Sequence, residues 1–323
     1  MEDKKKTELF ERVPVPNAVM RLAVPTILSS LVMVLYNLAD TYFVGMLDNP
    51  VENAAVALAA PVLLAFNAVN NLFGVGSSSM MSRALGRRGF FSCERRDDER
   101  MPAEYYFRPA FYPSVGIPAS IQNLLNVTGM TVLNNFTSSY GPDAVAAMEI
   151  TQKINMVPMQ ISMGLSQGIM PLISYSYAGK NIRRMKDTLR FVIKISMGFM
   201  VTVSAGYFLF AGNLIEMFME NEAIVTYGTM FLRGFCLRLP FLCMDFIAVG
   251  VFQASGIGKN ALIFAVLRKI VLEIPALFVL NALFPLCGLA YAQFAAELIL
   301  AAAAAVVVLV RLFRRLEAER EAV

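Results

Sequence analysis

Asp40 is the residue of the first apolar stretch whose chemistry stands out. It shares one helical stripe with Thr26, Ser30 and Asn37, because these residues are three, four or seven positions apart. A carboxylate on such a stripe can take a proton or bind Na⁺. Burial disfavours its ionised form and a bound cation favours it, so ion binding can be coupled to helix packing. We expect Asp40 and Asn37 to form an ion-coupling site; the alternative is an Asp near the outer end of its helix, solvated by headgroups.

Amide side chains form similar stripes on the next two apolar segments. The candidates are Asn67 and Asn71 on the second segment, and Asn126 and Asn134 on the third. An amide both donates and accepts hydrogen bonds, so it suits a polar cavity as well as contacts between helices. We assign these four residues to a substrate cavity, with structural hydrogen bonding as the alternative.

Methionine is frequent in this chain, with 20 residues, and Met156, Met159, Met163 and Met170 follow one helical face. Flexible thioethers suit a cavity that accepts varied apolar or aromatic cations. We assign Met156 and Met163 to the cavity. A packing or lipid-facing stripe is the alternative.

Charged residues also occur in later apolar runs, where they usually face a cavity or a partner. Arg238 and Asp245 are seven residues apart, so they lie on one helical face and can pair through neighbours or line a substrate path. Glu273 follows Lys269 by four residues, a spacing that favours an ion pair within one helix. Pro275 predicts a kink whose freed carbonyl can serve as a hinge.

The composition requires a solvent other than water. The apolar set AVILMFWYC makes up 57% of the 323 residues, whereas soluble domains have roughly 45–50% even with glycine included. The sequence has no histidine, which excludes a His-ligated metal and a Ser-His-Asp triad. Its 4 cysteines have no C-x-x-C spacing, so neither a disulfide scaffold nor a zinc ribbon is supported.

Eight apolar runs approach or exceed the length of about 20 residues that crosses a bilayer. They cover roughly residues 18–46, 54–82, 114–138, 154–178, 191–211, 223–255, 261–284 and 288–310. The sequence therefore predicts an all-α polytopic membrane protein with about eight transmembrane helices.

The distribution of Lys and Arg predicts the orientation of these helices. Both residue types are absent from the connections 46–53, 138–143, 211–223 and 284–288. Loops rich in Lys and Arg stay cytoplasmic, so these four connections face outward and both termini are cytoplasmic. This topology explains the net charge of +4, and we expect contact with the lipid bilayer and none with nucleic acid.

The chain contains an internal repeat. Ala23-Val24-Pro25 opens the first run and Gly116-Ile117-Pro118 opens the third, and the second and fourth runs end in related segments, GSSSMMSRALGRR and GIMPLISYSYAGK. The two pairs have the same sense in the membrane, which is typical of a parallel repeat with a substrate path between its halves.

Several segments resemble the multidrug and toxic compound extrusion (MATE) transporters. Asp40 in LADTYFVG is similar to the acidic residue of that family's first helix, and SRALGRRG to the end of its second helix. PLISYSYAGKN, VFQASGIGKN and LRKIVLEIP resemble parts of its eighth, tenth and eleventh helices. The resemblance implies a bacterial inner-membrane exporter of small amphipathic or cationic drugs and toxic compounds, driven by antiport of H⁺ or Na⁺. It implies neither enzymatic activity nor a tightly bound cofactor.

The chain departs from that family in length, because the family has two lobes of six helices. Here a segment similar to the second helix leads almost directly to one similar to the seventh. The predicted organisation is a cytoplasmic N-terminus (1–17), a two-helix remnant of the first lobe (18–89), a cytoplasmic junction (90–113), a complete six-helix second lobe (114–312) and a cytoplasmic tail (313–323). Some family members carry a glutamate where this chain has Asn126, so a carboxylate site for cations is not expected there.

The missing helices would leave the polar residues of the remnant against lipid or an unsealed gap, at a cost of several kcal/mol for a charged Asp40. Association with another chain could complete the lobe, or the chain could fail to form a competent exporter. We favour the second outcome, because a partner would have to replace four specific helices.

Two other functions are weighed against export. A flippase for lipid-linked precursors would favour a basic, lipid-accessible cavity, and the scarcity of Lys and Arg in the apolar runs favours the exporter. An intramembrane protease using Asp40 and Asp245 is not supported, because neither residue lies in a Tyr-Asp or Gly-x-Gly-Asp context.

Overall fold

The computed structural model describes residues 8–45, 66, 69–86, 112–219 and 221–305, with side chains outside 40–45, 112–114 and 305. These residues form helices and short connections, and no strand occurs among them. The helices are α1 (Val15–Gly45), α2 (69–86), α3 (Tyr112–Ser138), α4 (Pro142–Ala178), α5 (Ile182–Leu209), α6 (Ala211–Glu216), α7 (Glu222–Ala254), α8 (Gly258–Val266), α9 (Ile274–Leu283) and α10 (Cys287–Ala305).

Several helices begin at residues suited to that position. Gly141 has a φ of 100°, which glycine adopts without strain, and Pro142 then opens α4, where its missing N–H is not needed. The side chain of Asn181 accepts a hydrogen bond from the Arg184 amide (3.1 Å) at the start of α5. Asn221 caps α7 in the same way through the amide of Ala223 (2.9 Å).

The expectation of an all-helical membrane protein is confirmed. Four helical segments in the described ranges are long and apolar enough to cross a bilayer, namely Val15–Ala39, Ile182–Leu209, Glu222–Ala254 and Cys287–Ala304. α4 begins 12 residues before the predicted run 154–178, because polar residues on one face of a first turn do not interrupt a helix. The second run, 54–82, lies only partly within the described residues, and the total of eight spans stays a prediction.

The seventh predicted run, 261–284, is one rod with a change of helix type in its middle. α8 passes into a π-helical segment, Leu267–Glu273, which passes into α9. The Ile274 amide donates to the carbonyl of Lys269, five residues earlier. Pro275 follows directly and has no N–H to donate. The irregularity expected at Pro275 therefore takes the form of a π-helical widening, which is common at functional sites.

α7 is the central helix of the fold, since it packs against α4, α5 and α10. One apolar core lies around Ile173, Met185 and Phe252, where α4, α5 and α7 meet. A second core lies around Phe231 and Leu277 and includes residues of α3, α4 and α10. These two cores hold the helices from α3 onward together, and α1 contributes Ala18, Val19 and Ala23 to the first.

α1 packs closely along α4 through two glycines. A Cβ added to Gly164 would lie 2.9 Å from the Cα of Ile27, and one added to Gly168 would lie 2.7 Å from the Cα of Ala23. The Thr26 hydroxyl lies 2.8 Å from the carbonyl oxygen of Gly164. Small residues four positions apart allow this close approach in membrane helices. The first helix is therefore docked on the rest of the fold.

α2 is docked as well. The Ser79 hydroxyl donates to the carbonyl oxygen of Gln253 on α7 (2.6 Å), and a Cβ added to Gly116 of α3 would lie 2.9 Å from the backbone carbon of Leu72. Large apolar side chains of α1 and α2 remain exposed, with Tyr36 68% and Phe73 60% exposed.

Residues 8–13 hold the start of α1 against α4 and α5. The Tyr175 hydroxyl donates to Glu11 (2.6 Å), and the ring of Tyr175 stacks on Phe10 with centroids 5.0 Å apart. The Arg184 guanidinium donates to the carbonyl oxygen of Val13 (2.7 Å). These contacts fasten the segment before α1 to the same helices that α1 covers.

Candidate functional site

A cavity of about 810 Å³ lies between the first two helices and α3, α4 and α7. Its wall is rich in amides, which offer both donors and acceptors without a charge. They are Asn70, Asn71, Gln122, Asn123, Asn126, Gln152, Gln160, Gln167, Gln253 and Gln293. Such a wall can satisfy many different polar groups.

The rest of the wall is largely apolar and deformable. Met159, Met163 and Met170 of α4 line it, together with Phe235 and Phe246 of α7. Thioethers are polarisable and adopt several rotamers, so they adapt to ligands of different shape. Cavities of this size and mixture of groups bury most of a drug-sized ligand.

The charged residues of the wall are all basic. Arg238 of α7 and Arg268 and Lys269 of the π-helical segment line the cavity beside Gln293 of α10. No Asp or Glu occurs among the described residues of this wall. Although Lys and Arg are scarce in the apolar runs, three of these basic residues gather at the cavity.

Two carboxylates lie behind the wall and pair with Arg268. One guanidinium nitrogen of Arg268 lies 3.0 Å from Asp245 Oδ2, and another lies 2.5 Å from Glu297 Oε1. Arg268 is 5% exposed and both carboxylates are 1% exposed. Removing Arg268 would leave both buried carboxylates without their compensating charge, so their burial depends on this guanidinium.

Lys269 pairs with a third carboxylate. Its Nζ lies 2.7 Å from Glu273 Oε2, which confirms the pair expected from their spacing of four residues. Gln293 Nε2 donates to the other oxygen of Glu273 at 3.3 Å. The side chain of Gln293 thus connects α10 to the π-helical segment at the cavity wall.

Arg238 differs from the other two cations, because no carboxylate of the described residues lies within ion-pair distance of it. Its Nη1 donates to Gln293 Oε1, and its guanidinium carbon lies 4.7 Å from the ring centroid of Phe235. Its Nε is buried and has no hydrogen-bond partner among the described residues. Arg238 is therefore a cation held by an amide and an aromatic ring.

Four of the residues predicted to form the cavity line it: Asn71, Asn126, Met163 and Arg238. Asn134 instead accepts a hydrogen bond from Gln152 (2.9 Å), which does line the cavity. Met156 is not among the lining residues. Asp245 lies behind the wall, and its partner is Arg268, not Arg238.

The predicted ion-coupling pair is described only in part. Asn37 is exposed and donates to the carbonyl oxygen of Met33 in its own helix (2.8 Å). The side chain of Asp40 and all of Asn67 lie outside the described residues. Of the remnant's polar residues that were expected to face lipid or an unsealed gap, Asn71 lines the cavity, where α2 is docked on α3 and α7.

Sequence reasoning singled out none of the cavity glutamines, and it identified Glu297 as an acid within an apolar run without its partner Arg268. Gln152, Gln160 and Gln167 follow the same face of α4 as the methionine stripe. An uncharged amide in an apolar run gives a weak signal, but three at helical spacing would have indicated a polar face. No group of three or more His, Cys, Asp or Glu in the described part of the chain is arranged to hold a metal.

Comparison with known proteins gives relatives that are transporters. The chain is 37% identical over 196 residues to the multidrug export protein MepA of Staphylococcus aureus strain NCTC 8325. That alignment covers 60% of this chain and 43% of the relative. The matched region thus covers less than half the length of this relative.

A second relative aligns over nearly its whole length. The multidrug export protein MepA of Staphylococcus haemolyticus strain JCSC1435 is 25% identical over 425 positions, which cover 90% of this chain and 93% of the relative. An alignment of 425 positions exceeds the 323 residues of this chain. A substantial part of the relative therefore has no counterpart here.

The fold is that of solved MATE structures. A multidrug resistance MATE family transporter in an outward-facing conformation has a TM-score of 0.85 at 17% identity, with 96% of this chain and 98% of that chain covered. The MatE family model matches residues 25–93 and 118–279, and the break between these segments overlaps the predicted junction 90–113. Since these two segments make up most of its residues, the chain belongs to the MatE family of membrane transporters.

Proposed function

We propose that this chain is a secondary active exporter of small amphipathic compounds, with the amide- and methionine-lined cavity as its substrate site. The observation that carries the proposal is the cavity itself, whose mixed wall suits varied ligands. The proposed location is the cell membrane of a bacterium, with both termini in the cytoplasm. No enzymatic activity and no bound cofactor are proposed beyond the transported coupling ion.

Export would proceed by alternating access, in which the α1–α2 pair changes its position relative to the helices from α3 onward. The cavity lies between these two groups, so such a movement would change access to its contents. The coupling ion would be H⁺ or Na⁺. We place its binding at Asp40 with Asn37 on the outer part of α1.

The missing part of the first lobe should impair transport while leaving substrate binding largely intact. We expect weak gradient-dependent efflux from the chain alone and strong efflux from a chimera that receives the unmatched internal segment of the S. haemolyticus relative. The measurement is drug accumulation in a transporter-deficient cell, with and without a proton or sodium gradient. Equal efflux by both forms, with the short chain purified as a monomer, would show that two helices suffice. Self-association of the short chain would instead support completion by another chain.

Asp40→Asn should abolish ion-driven efflux, because the amide keeps the shape of the carboxylate but cannot titrate. The substitution is made in the chimera and compared with Asp143→Asn, which alters an exposed carboxylate in the first turn of α4. We expect accumulation equal to that of cells without transporter for the first variant and unchanged efflux for the second. Gradient-driven efflux that persists in Asp40→Asn would remove Asp40 from the coupling mechanism.

A flippase for lipid-linked precursors is the second candidate, and the basic wall formed by Arg238, Arg268 and Lys269 favours it. Such a substrate carries phosphate groups that would lie at this wall. Flipping of a fluorescent lipid-linked precursor in vesicles, measured against drug efflux, distinguishes the two functions.

A further inference from the structure

We propose that Arg238 binds an oxyanion, a carboxylate or phosphate group, on the amphipathic ligand that occupies the cavity. The inference specifies the class of substrate for the proposed function. It rests on that function only for the statement that the bound compound is also transported. Binding of the oxyanion requires the cavity alone, so it can be tested without efflux.

The pairing of the buried charges leaves Arg238 as the available cation. Three cations and three carboxylates lie in this region, but their distribution is uneven. Arg268 contacts both Asp245 and Glu297, and Lys269 contacts Glu273. In the described part of the chain no carboxylate remains for Arg238. The six side chains together carry no net formal charge. The second carboxylate that contacts Arg268 lies behind the wall, and Arg238, which contacts no described carboxylate, lies at the cavity.

The surroundings of Arg238 hold its guanidinium in one place. Phe235 contacts one face of the group and Gln293 accepts from one of its nitrogens. A planar guanidinium presents several N–H groups in a fixed arrangement that matches the two oxygens of a carboxylate or phosphate. The amide side chain of Gln293 is itself fixed by Glu273, so the position of Arg238 is determined by neighbours on two other helical segments.

Arg238, which contacts no described carboxylate, disfavours a cation at its end of the cavity. A cationic ligand would approach three basic side chains and meet no described carboxylate on the wall. An anionic group would contact a guanidinium whose direct side-chain contacts in the described chain are an amide and a ring, with Glu297 and Glu273 acting on it from beyond ion-pair distance. The expectation of cationic substrates from the sequence is untested, and this wall predicts a preference for anionic or zwitterionic compounds.

The remainder of the ligand would be apolar. Phe235 and Phe246 lie beside the basic groups and Met159, Met163 and Met170 line the same cavity. An aromatic or aliphatic body could lie against these side chains while its oxyanion contacts Arg238. The ligand class is therefore an amphipathic compound with a terminal carboxylate or phosphate.

The test uses three pyrene probes that share a ring system and differ in charge: pyrenebutyrate, pyrenebutanol and a pyrene trimethylammonium. Binding to the purified full chain in neutral phosphatidylcholine nanodiscs is measured by fluorescence. We expect pyrenebutyrate to bind most tightly. Arg238→Gln should weaken its binding by about ten- to a hundredfold, as for loss of a charge-assisted hydrogen bond, and leave pyrenebutanol binding unchanged.

Arg233→Gln is the matched control, since Arg233 lies on the same helix but is exposed, contacts Phe208 at 5.4 Å and does not line the cavity. We expect unchanged binding of all three probes to this variant. Arg238→Lys should retain part of the preference for pyrenebutyrate. Equal binding of the three probes to the native chain, or a loss in Arg238→Gln that affects pyrenebutanol equally, would overturn the proposal.

Two sources of the oxyanion are distinguished by adding phosphatidylglycerol to the nanodiscs. If phosphatidylglycerol competes with pyrenebutyrate for the native chain but not for Arg238→Gln, the natural ligand is a lipid phosphate. Arg238-dependent binding of pyrenebutyrate without this competition supports a soluble amphipathic anion. Because binding of pyrenebutyrate does not require transport, a negative efflux result would reject the proposed function and leave this inference standing.

Discussion

Arg268→Met is expected to destabilise the fold by about 3–5 kcal/mol, the cost of leaving buried charges without their partner. Arg268 is the only residue of the described chain that pairs with both Asp245 and Glu297, at 3.0 and 2.5 Å. Methionine fills a similar volume but offers neither carboxylate a hydrogen bond. Both carboxylates are almost fully buried, so water cannot replace the guanidinium without opening the helix contacts.

The chain provides its own reporters for this measurement. Cys236 and Cys243 are fully buried on α7, so a thiol-reactive dye should label them only after unfolding. In a background with Cys93→Ser and Cys287→Ser, the dye signal during heating or denaturant titration in detergent gives the stability of each variant. We expect unfolding of Arg268→Met at a clearly lower temperature or denaturant concentration than the background protein.

Two controls separate the buried pairs from a general effect of losing arginine. Arg190→Met removes an exposed contact of 3.8 Å with Asp187 and should change stability by about 1 kcal/mol or less. The triple variant Asp245→Asn, Arg268→Gln and Glu297→Gln removes all three charges and should recover most of the loss. A triple variant no more stable than Arg268→Met would contradict this account.

Gly168→Leu is expected to separate α1 from α4. The added side chain would begin 2.7 Å from the Cα of Ala23 and 2.9 Å from the carbonyl oxygen of Leu22. These are backbone atoms, so no rotamer change can relieve the overlap and α1 itself must move. Overpacking typically costs about 1–3 kcal/mol, and here it also breaks the contact between Thr26 and Gly164.

Docking of the helix pair can be followed by crosslinking, because the Ser79 hydroxyl lies 2.6 Å from the backbone of Gln253. A Ser79→Cys, Gln253→Cys pair should crosslink efficiently in the native fold and poorly with Gly168→Leu. The control is Gly198→Leu on α5, where an added Cβ meets no atom of the described residues within 4 Å and leucine is the better helix former. Undiminished crosslinking in Gly168→Leu would show that this glycine does not hold the pair together.

Part of the fold could be predicted from the sequence because the signals are local. Apolar runs of sufficient length become helices wherever the backbone must satisfy its own hydrogen bonds, and α1, α3, α5 and α7 lie close to the predicted runs. The pair of Lys269 and Glu273 was likewise predictable, since a spacing of four residues brings both side chains to one side of a single helix.

The partners of the other buried charges were not predictable by the same reasoning. Arg238 and Asp245 lie on one face of α7, and their spacing suggested that they pair or share a path. In the structure Asp245 pairs with Arg268 of the π-helical segment. Arg238 lies at the cavity and donates a hydrogen bond to Gln293 of α10. These contacts depend on how three helical segments pack against one another. The periodicity of residues within one segment carries no information about that packing.

The sequence by itself determined the helical membrane class, the approximate helix positions, the family resemblance and the polar character of the stripes on α1, α2 and α3. Only the tertiary structure decided which polar residues share a cavity and which carboxylates are hidden behind its basic wall. The physical reason is that burial in a bilayer is a property of each segment, whereas the charge of a cavity depends on the rotation of each helix about its axis. A rotation of α7 about its axis would move Arg238 away from the wall without changing a single hydrophobic run.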